Sequence, residues 1–381
     1  MCKVSIIVPV YYGEKYIDPM IRQVEACWKC AEEAIDVELL LINDAPDCLI
    51  SQEYFSEFIE IIVIGTEVNR GVQGARVRGL EYSKGSYILF LDQDDKIFPD
   101  YLKSQIKEIA GFDAAVCRAI HQKKPLYNLT KPFTESVCKE YMLHKGDSII
   151  SPGQVLLRKE AVSEVWKDNI LKNNGADDWL LWLCMMEEGK SFALNDEILF
   201  EHVVGRENTS LRVPEMWRSE LEVLEIVREN HVLSEEEILV LEKTIHNLAE
   251  TRMQDLGKFQ RITSIYDTWL SLKNKGIHIT EYLKQKGYRT VAIYGVTDLG
   301  RRLYQELSMD KIEVPYFIDI NAPFLAEQVK VCSPNENLGQ VDAVIISLVQ
   351  NERQIAESVK MKLSVDVCTI VELIEKAEDL L

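Results

Sequence analysis

The sequence lacks three features: long apolar runs, an excess of basic residues and a regular cysteine framework. No apolar run approaches the length of a membrane span, and the first residues predict a strand rather than a signal peptide. The net charge of -19 argues against nucleic acid or an anionic membrane surface as the main partner. The nine cysteines are odd in number and irregularly spaced, which is typical of a protein of the reducing cytoplasm.

The cysteine pair with CxxC spacing does not indicate a redox or zinc site. Cys27 and Cys30 lie within a helical apolar pattern, and no second pair stands at zinc-ligand spacing. We therefore interpret them as packing residues. With 381 residues, 47% apolar and 28% charged, the composition is that of a soluble globular protein large enough for two domains and a linking element.

The sequence does contain a buried strand that runs directly into crowded carboxylates. Residues 86–91 are mostly apolar, and Asp92, Asp94 and Asp95 follow within four positions. Ligands of open α/β sheets bind beyond the carboxyl ends of the strands. Carboxylates this close repel one another unless a cation lies among them. The pattern predicts a divalent-metal site for a phosphorylated ligand.

Three further apolar runs alternate with helical patterns before this strand. The helix predicted over 72–83 is rich in small residues, which allow close approach to a sheet or a ligand. This alternation predicts an α/β fold with a mostly parallel, nucleotide-binding sheet. Its ligand edge would carry Tyr11, Asp44 and the acids from Asp92 onward. The runs are residues 4–10, 37–42 and 59–64.

Four short segments mark the strand ends and the helix start of this region. They are Pro9-Val10-Tyr11, Asn43-Asp44-Ala45, Asn69-Arg70-Gly71 with Ala75-Arg76 and Gly79, and Leu91-Asp92-Gln93-Asp94-Asp95 with Pro99-Asp100-Tyr101-Leu102. In order and in spacing, these segments resemble the inverting GT-A glycosyltransferases of family 2. The resemblance covers residues 1 to about 210 and implies the GT-A nucleotide-diphospho-sugar transferase fold. The sequence departs from the family pattern at Tyr12, at Ala45-Pro46 and at Val77, positions that bear on which nucleotide binds.

The resemblance implies roles for individual residues. Tyr11 would line or stack on the base, Asp44 would accept a hydrogen bond from it, and Asp92 would hold the ribose or the metal. Carboxylate and phosphate oxygens suit the hard cations Mg²⁺ and Mn²⁺, which fits the implied cofactor. The implied nucleotide-binding residues are Pro9, Tyr11, Asp44, Arg76 and Asp92. The implied metal ligands are Asp94, Asp92 and His202.

The implied catalytic base lies in a second acidic pair, Asp177-Asp178. Asp178 aligns with the acid that the family uses to deprotonate the acceptor hydroxyl, and Asp177 takes the place of the acid before it. The alternative for this pair is helix capping without a catalytic role, and the pair can also be assigned in the other order. Residues 200–210 resemble the family's closing loop, in which His202 or Arg206 would contact phosphate or metal.

The rest of the chain predicts a helical connector and a small Rossmann-like domain. Gly295 and Gly300 occupy the first and third positions of GxGxxG, and Thr297 replaces the second glycine. Asp319 follows about twenty residues later, at the sequence position where such domains carry the acid that contacts the ribose. Two interpretations of this domain stay open. It has a structural or oligomerising use, or it binds a nucleotide or another phosphorylated ligand. The predicted domains are 1–212 (glycosyltransferase), 213–285 (connector) and 286–381 (Rossmann-like).

Together these features predict a metal-dependent hexosyl- or N-acetylhexosaminyl-transferase. It would move a sugar from a nucleotide-diphosphate donor, a UDP-sugar by preference, to a saccharide or lipid-linked acceptor in surface glycan synthesis. The expected location is the cytoplasm, with peripheral association at the inner membrane face. These features are also compatible with a homo-oligomer formed through the connector or the C-terminal domain. The alternatives are a nucleotidyltransferase, although Tyr11-Tyr12-Gly13-Glu14 is not a basic phosphate loop, and a non-catalytic sugar-nucleotide sensor.

Overall fold

The computed structural model describes residues 2–31, 35–48, 50, 53–121, 124–126, 133–203 and 212–379. The strands are β1 (Cys2–Val10), β2 (Ile35–Asn43), β3 (Glu60–Gly65), β4 (Tyr87–Phe90), β5 (Lys96–Ile97), β6 (Ala114–His121), β7 (Lys124–Pro125), β8 (Val155–Arg158), β9 (Phe192–His202), β10 (Val291–Tyr294), β11 (Tyr316–Ile318), β12 (Lys330–Cys332), β13 (Ala343–Ile346) and β14 (Asp366–Thr369).

The α-helices fall before, between and after these strands. They are α1 (Glu14–Cys30), α2 (Gly71–Tyr82), α3 (Tyr101–Glu108), α4 (Phe133–Ser136), α5 (Lys139–Lys145), α6 (Glu164–Asp168), α7 (Asp177–Glu187), α8 (Val213–Glu229), α9 (Glu235–Asn274), α10 (Glu281–Gln285), α11 (Asp298–Met309), α12 (Glu352–Lys362) and α13 (Ile370–Glu378). The chain forms two compact units, residues 1–252 and 253–381.

The sheet of the first unit has parallel strands on one side and mixed strands on the other. Its order is β3-β2-β1-β4-β8-β6-β9-β5, and β7 pairs with β6. The first four of these strands are parallel, so their carboxyl ends meet at one edge. The antiparallel strand β8 then joins β4 to β6. This arrangement confirms the predicted α/β fold with a mostly parallel central sheet.

Both faces of this sheet are covered, which explains why its strands read as continuous apolar runs. Side chains of β1 alternate between the two sides: Ile7 packs in the cluster that contains α6 and α7, whereas Ile6 and Val8 pack with α1 and α3. The helix that bears the acidic pair is thereby fixed on one face. Its aromatic residues Trp179 and Trp182 are buried there.

The predicted connector, residues 213–285, comprises α8, the long helix α9 and α10. Residue 252, where the two compact units meet in sequence, falls inside α9. The predicted boundaries at 213 and 286 stay predictions. No helix in the described part of the chain is both long enough and apolar enough to cross a membrane.

The second unit contains five parallel strands in the order β12-β11-β10-β13-β14. Numbered along the unit, this order is 3-2-1-4-5, as in a doubly wound Rossmann sheet. Strands β11, β10 and β13 form the centre of this sheet, and two short strands, β12 and β14, extend it on either side.

Candidate active site

A glutamine between the acids joins the ends of β1 and β4. The Gln93 side chain accepts a hydrogen bond from the Tyr11 backbone N–H (3.1 Å) and donates one to the Tyr11 carbonyl (3.3 Å). Gly13 lies so close that a Cβ there would come within 1.8 Å of the Gln93 Oε1 atom. Gln93 therefore holds the turn after β1 against the acidic turn after β4, and Gly13 leaves room for it.

Two exposed tyrosines follow β1. Tyr11 is 51% exposed, and its ring meets that of Tyr12 edge to face at 4.6 Å between centroids. Tyr12 has a positive φ of 47°, which is unusual for a residue with a side chain. Its hydroxyl donates a hydrogen bond to Asp47 (2.7 Å), and this bond raises the pKa of Tyr12 to about 12. Tyr11 is thus presented to solvent with Tyr12 fixed beside it.

Asp44 lies buried at the end of β2. Its Oδ1 atom accepts hydrogen bonds from the Arg70 backbone N–H (2.8 Å) and from the Thr66 hydroxyl (3.1 Å). Burial raises the pKa of Asp44, although these donors act in the opposite direction. The carboxylate is oriented by the loop before α2.

Arg76 on α2 joins the two acidic segments. Its guanidinium is buried, with Nη2 2.6 Å from Asp92 Oδ1 and Nη1 2.6 Å from Asp177 Oδ2. Burial alone would lower the pKa of Arg76, but Asp177 and Asp92 outweigh that effect and raise it, so the group stays charged. The acid at the end of β4 and the acid at the start of α7 therefore share one cation.

Asp178, the second residue of α7, is half-buried and lies beside this ion pair. Its Oδ1 atom accepts a hydrogen bond from the Trp179 backbone N–H (2.9 Å). Burial, together with the charges of Asp147 and Asp177, raises the pKa of Asp178 well above the ordinary aspartate value. A carboxylate with a raised pKa is a stronger base, as proton removal from a hydroxyl requires.

Residues that the sequence reasoning missed hold the loop before α7. Gln73 on α2 donates hydrogen bonds to the carbonyls of Trp166 (2.8 Å) and Asn169 (3.0 Å) and accepts one from the Leu171 N–H (2.8 Å). On the other side, the Ser219 hydroxyl on α8 accepts a bond from the Ala176 N–H (3.0 Å). Helices α2 and α8 thus position the start of α7 between them. No local pattern marks these residues, since each bonds far along the chain.

The three acids after β4 have different surroundings. Asp92 is paired with Arg76, and Asp95 is buried and hydrogen-bonded, but the Asp94 carboxylate has no hydrogen bond or ion pair to another described side chain. Burial and the charges of Asp95 and Asp92 raise the pKa of Asp94 to about 6. Among the acids of this turn, Asp94 is therefore the one whose ionised form a bound cation would stabilise most.

Asp95 anchors the end of β9. Its carboxylate accepts hydrogen bonds from the Ser151 hydroxyl (2.9 Å), from the Val203 backbone N–H (2.9 Å) and from His202 Nδ1 (3.0 Å). Burial alone would lower the pKa of His202, but Asp95 outweighs it and raises the pKa. With Nδ1 held by Asp95, Nε2 is the His202 nitrogen left for a ligand. Arg206, the other candidate of this segment, lies outside the described residues.

A divalent cation fits the acidic turn if the ligand supplies most of its coordination. Among the described residues, no three histidine, cysteine or acidic side chains are arranged to hold a metal by themselves. The oxygen donor Asp94 is nevertheless unpartnered, and Mg²⁺ commonly binds one or two carboxylates together with substrate phosphates. The residues present therefore fit Mg²⁺ or Mn²⁺ held jointly with a diphosphate.

The structure brings most of the predicted residues to one edge of the sheet. Hydrogen bonds and ion pairs link Tyr11, Asp92 and Asp177 through Gln93 and Arg76. The predicted nucleotide-binding residue Pro9 lies within β1, paired with β2. Its role and the other assigned roles stay predictions. Arg76, predicted to lie at the nucleotide end, is buried between two acids.

Comparison with known proteins agrees with this geometry. The family model "Glycosyl transferase family 2" matches residues 5–166. Glycosyltransferase GlyA of Streptococcus pneumoniae is 30% identical over 121 residues, 30% of this chain and 16% of that protein. The minor teichoic acid biosynthesis protein GgaB of Bacillus subtilis is 35% identical over 99 residues, 24% of this chain and 10% of that protein. The chain thus spans only a small part of these relatives.

Among solved structures, S. aureus TarS 1–349 in complex with UDP-GlcNAc superimposes with a TM-score of 0.48 at 18% identity. That superposition covers 64% of this chain and 72% of TarS 1–349. The matched segment 5–166 contains β1 to β4 and the acids after β4. By this match, residues 5–166 are similar to family 2 glycosyltransferases.

Proposed function

We propose that the first unit transfers a sugar from a nucleotide-diphosphate donor, a UDP-sugar, to an acceptor hydroxyl with inversion at the anomeric carbon. The observation that carries the proposal is the link from Asp92 through Arg76 to Asp177, beside the raised-pKa acid Asp178. This link holds Asp92, on the donor side, to the start of α7, where Asp178 is suited to act as a base.

The residues at the ends of β1 and β2 suit a uracil base. The exposed ring of Tyr11 offers a stacking face, and Asp44 offers an oriented acceptor oxygen. A carboxylate oxygen pairs with the N–H of uracil but repels the ring-nitrogen acceptors of adenine and cytosine. Guanine also presents N–H donors, so a guanine nucleotide is the alternative that a donor panel must include.

In the reaction, Asp178 takes the proton of the acceptor hydroxyl as that oxygen bonds to the anomeric carbon. The bond from the anomeric carbon to the diphosphate oxygen breaks at the same time, and the nucleoside diphosphate leaves. Attack from the side opposite the leaving group inverts the anomeric carbon. Arg76 keeps Asp177 and Asp92 paired, so that Asp178 is the acid free to accept the proton.

Asp94 would hold Mg²⁺ or Mn²⁺ together with the donor diphosphate, and Asp92 or His202 Nε2 would add a further ligand. The cation would stabilise the negative charge of the departing diphosphate as a Lewis acid. Asp95 positions His202 through its Nδ1 atom and fixes the end of β9 near this turn.

We further propose that the acceptor is a saccharide or lipid-linked saccharide of a surface glycan, reached by peripheral association at the cytoplasmic face of the membrane. Support comes from the relatives, which include a teichoic acid biosynthesis protein and a teichuronic acid biosynthesis glycosyltransferase of Bacillus subtilis. These relatives are matched over 24% and 27% of this chain.

The test is release of nucleoside diphosphate by the full chain from a panel of UDP-, GDP- and dTDP-sugars, with Mn²⁺ or Mg²⁺ and a panel of saccharide acceptors. We expect release from a UDP-sugar, loss of release in Asp94→Asn and Asp178→Asn, and unchanged release in Asp196→Asn, an exposed acid of the same unit that pairs with Arg118. Pyrophosphate formed from a nucleoside triphosphate and a sugar phosphate would instead identify a nucleotidyltransferase. Donor binding without turnover at any acceptor would identify a sensor.

A further inference from the structure

The sheet of the second unit is covered unequally on its two faces. One face packs against residues of α11 and α13, with Leu303, Leu307 and Leu373 buried between helix and sheet. The helical residues that pack on the other face, Ala356 and Val359, both come from α12. The connection between β12 and β13, residues 333–342, contains no helix. Part of that face is therefore left to a loop.

A pocket of about 180 Å³ lies where this cover is incomplete. Tyr294 and Ile318, the last residues of β10 and β11, line it together with Ile355 of α12 and Leu338 of the loop. The pocket thus lies at the carboxyl ends of two neighbouring parallel strands, where ligands of such sheets bind. Its walls are mostly apolar and include one aromatic ring.

The polar residues of the lining come from one helix. Gln354, Ser358 and Lys362 project from α12 along the pocket, one helical turn apart from each other. A bound acyl chain would form no hydrogen bonds with these polar side chains. A free sugar would find no hydrogen-bond partners for its hydroxyl groups on the apolar walls. A planar ring with polar edges matches both parts of the lining.

An oriented carboxylate directly follows a pocket-lining residue in the sequence. Asp319 follows Ile318 directly, and its oxygens accept hydrogen bonds from the backbone N–H groups of Val296 (2.9 Å) and Asn321 (2.9 Å). Each carboxylate oxygen can accept a second bond. Asp319 is half-buried and can accept hydrogen bonds from the hydroxyl groups of a ligand whose ring occupies the pocket.

The turn after β10 is less suited to a pyrophosphate. Thr297 stands at the middle glycine position, and its hydroxyl already accepts the Gly300 N–H (3.0 Å) at the start of α11. Asp298 adds a negative charge in the first turn of that helix. Both features disfavour the phosphate contacts of a dinucleotide site.

We propose that this pocket binds a nucleoside moiety, with the base between Tyr294 and α12 and the ribose hydroxyls on Asp319. A free nucleotide and one end of a nucleotide sugar are the two sources of this nucleoside, since both present the same base and ribose. The site is separate from the donor site of the first unit and does not depend on the transferase proposal.

The experiment uses the full chain labelled on isoleucine methyl groups, with the signals of Ile318 and Ile355 assigned by Ile→Val substitution. Adenosine, uridine, guanosine and cytidine are titrated to millimolar concentration, followed by their monophosphates and by UDP- and GDP-sugars. These methyl groups line the pocket, so a ligand bound there changes their signals directly. Ser358→Trp fills the pocket from an exposed position, and Met361→Trp is its matched control on the outer side of α12.

We expect both methyl signals to shift with at least one nucleoside, in a saturating manner. Ser358→Trp should abolish the shifts and Met361→Trp should retain them. Asp319→Asn should weaken binding about tenfold, the loss expected for one hydrogen bond to a charged group. Comparison of the three ligand sets identifies which source binds tightest. Absence of shifts with every ligand, or shifts that survive Ser358→Trp, would overturn the proposed pocket, and an unchanged affinity in Asp319→Asn would overturn the ribose contact.

Discussion

The two units hold aspartates in opposite electrostatic settings. In the first unit, Asp94 lacks a described partner, and Asp178 lies among other acids, so the pKa of each is raised. In the second unit, Asp319 and Asp342 each accept hydrogen bonds from two backbone N–H groups. Crowded acids cost stability and are retained where a cation or a proton transfer uses them, whereas satisfied acids support the fold.

The largest expected effect is on catalysis by Asp178. Replacing it by Asn removes the proton acceptor, and kcat for nucleoside diphosphate release should fall about 10²–10⁴-fold, the usual contribution of a general base. The melting temperature should not fall, because the removed charge is an unfavourable one. Steady-state kinetics and thermal unfolding on the same preparation check both expectations.

Asp177→Asn distinguishes the two acids of the pair. Because Asp177 is the partner of Arg76, its replacement should lower stability, whereas Asp178→Asn should not. If Asp177→Asn proved stable and inactive, and Asp178→Asn unstable and active, the assignment of the base would have to be reversed.

The next effect in size is structural. Arg76→Met leaves Asp92 and Asp177 without their shared cation, and we expect the free energy of unfolding to fall by about 3–5 kcal/mol, as for other broken buried ion pairs. Arg78→Met is the matched control on the same helix, since Arg78 pairs with Glu81 at the surface, where an ion pair contributes little to stability. Urea titration of both variants measures the difference, and equal losses would contradict the bridging role.

The sequence allowed the strands and their terminal acids to be predicted because those features are local. A buried parallel strand is a short apolar run, and the acids follow it directly, as at Asp92 and Asp94. The order β-α-β then places the strand ends together. In the second unit, Gly295 and Asp319 identified the turn and the following strand end in the same way.

The bonds that assemble the site are long-range and could not be read from the sequence. Arg76 joins Asp177 across 101 positions, and Gln73 reaches Trp166 across 93. The available sequence signal for this ion pair was Arg76, a charged residue among the small residues of α2. It indicated that Arg76 lies near the site but did not indicate its partners. The role of α8 in holding the Ala176 N–H had no signal, because Ser219 lies in an ordinary amphipathic pattern.

A smaller effect follows from the crowding of Asp94. Its pKa of about 6 exceeds the unfolded value of about 4, so above pH 6 the ionised group destabilises the folded state. Asp94→Asn should therefore raise the melting temperature above pH 6, and the gain should shrink as the pH falls from 6 towards 4. The same substitution should remove the stabilisation by Mn²⁺ with UDP, which in the unmodified chain should strengthen as the pH rises through 6. Thermal unfolding across pH, with Asp196→Asn as control, measures both trends.

The smallest expected effect has the opposite sign and comes from the second unit. Asp342 accepts the backbone N–H groups of Arg289 (2.7 Å) and Thr290 (2.8 Å), and these bonds lower its pKa. Its ionised form therefore stabilises the fold above pH 4, and this stabilisation is lost as the pH falls through the lowered folded-state pKa. Asp342→Asn should lower the melting temperature slightly at pH 7 and have no effect in strong acid, if the unit still folds there. A gain in stability at pH 7, as expected for Asp94→Asn, would mean that the two units do not differ in the way these acids are held.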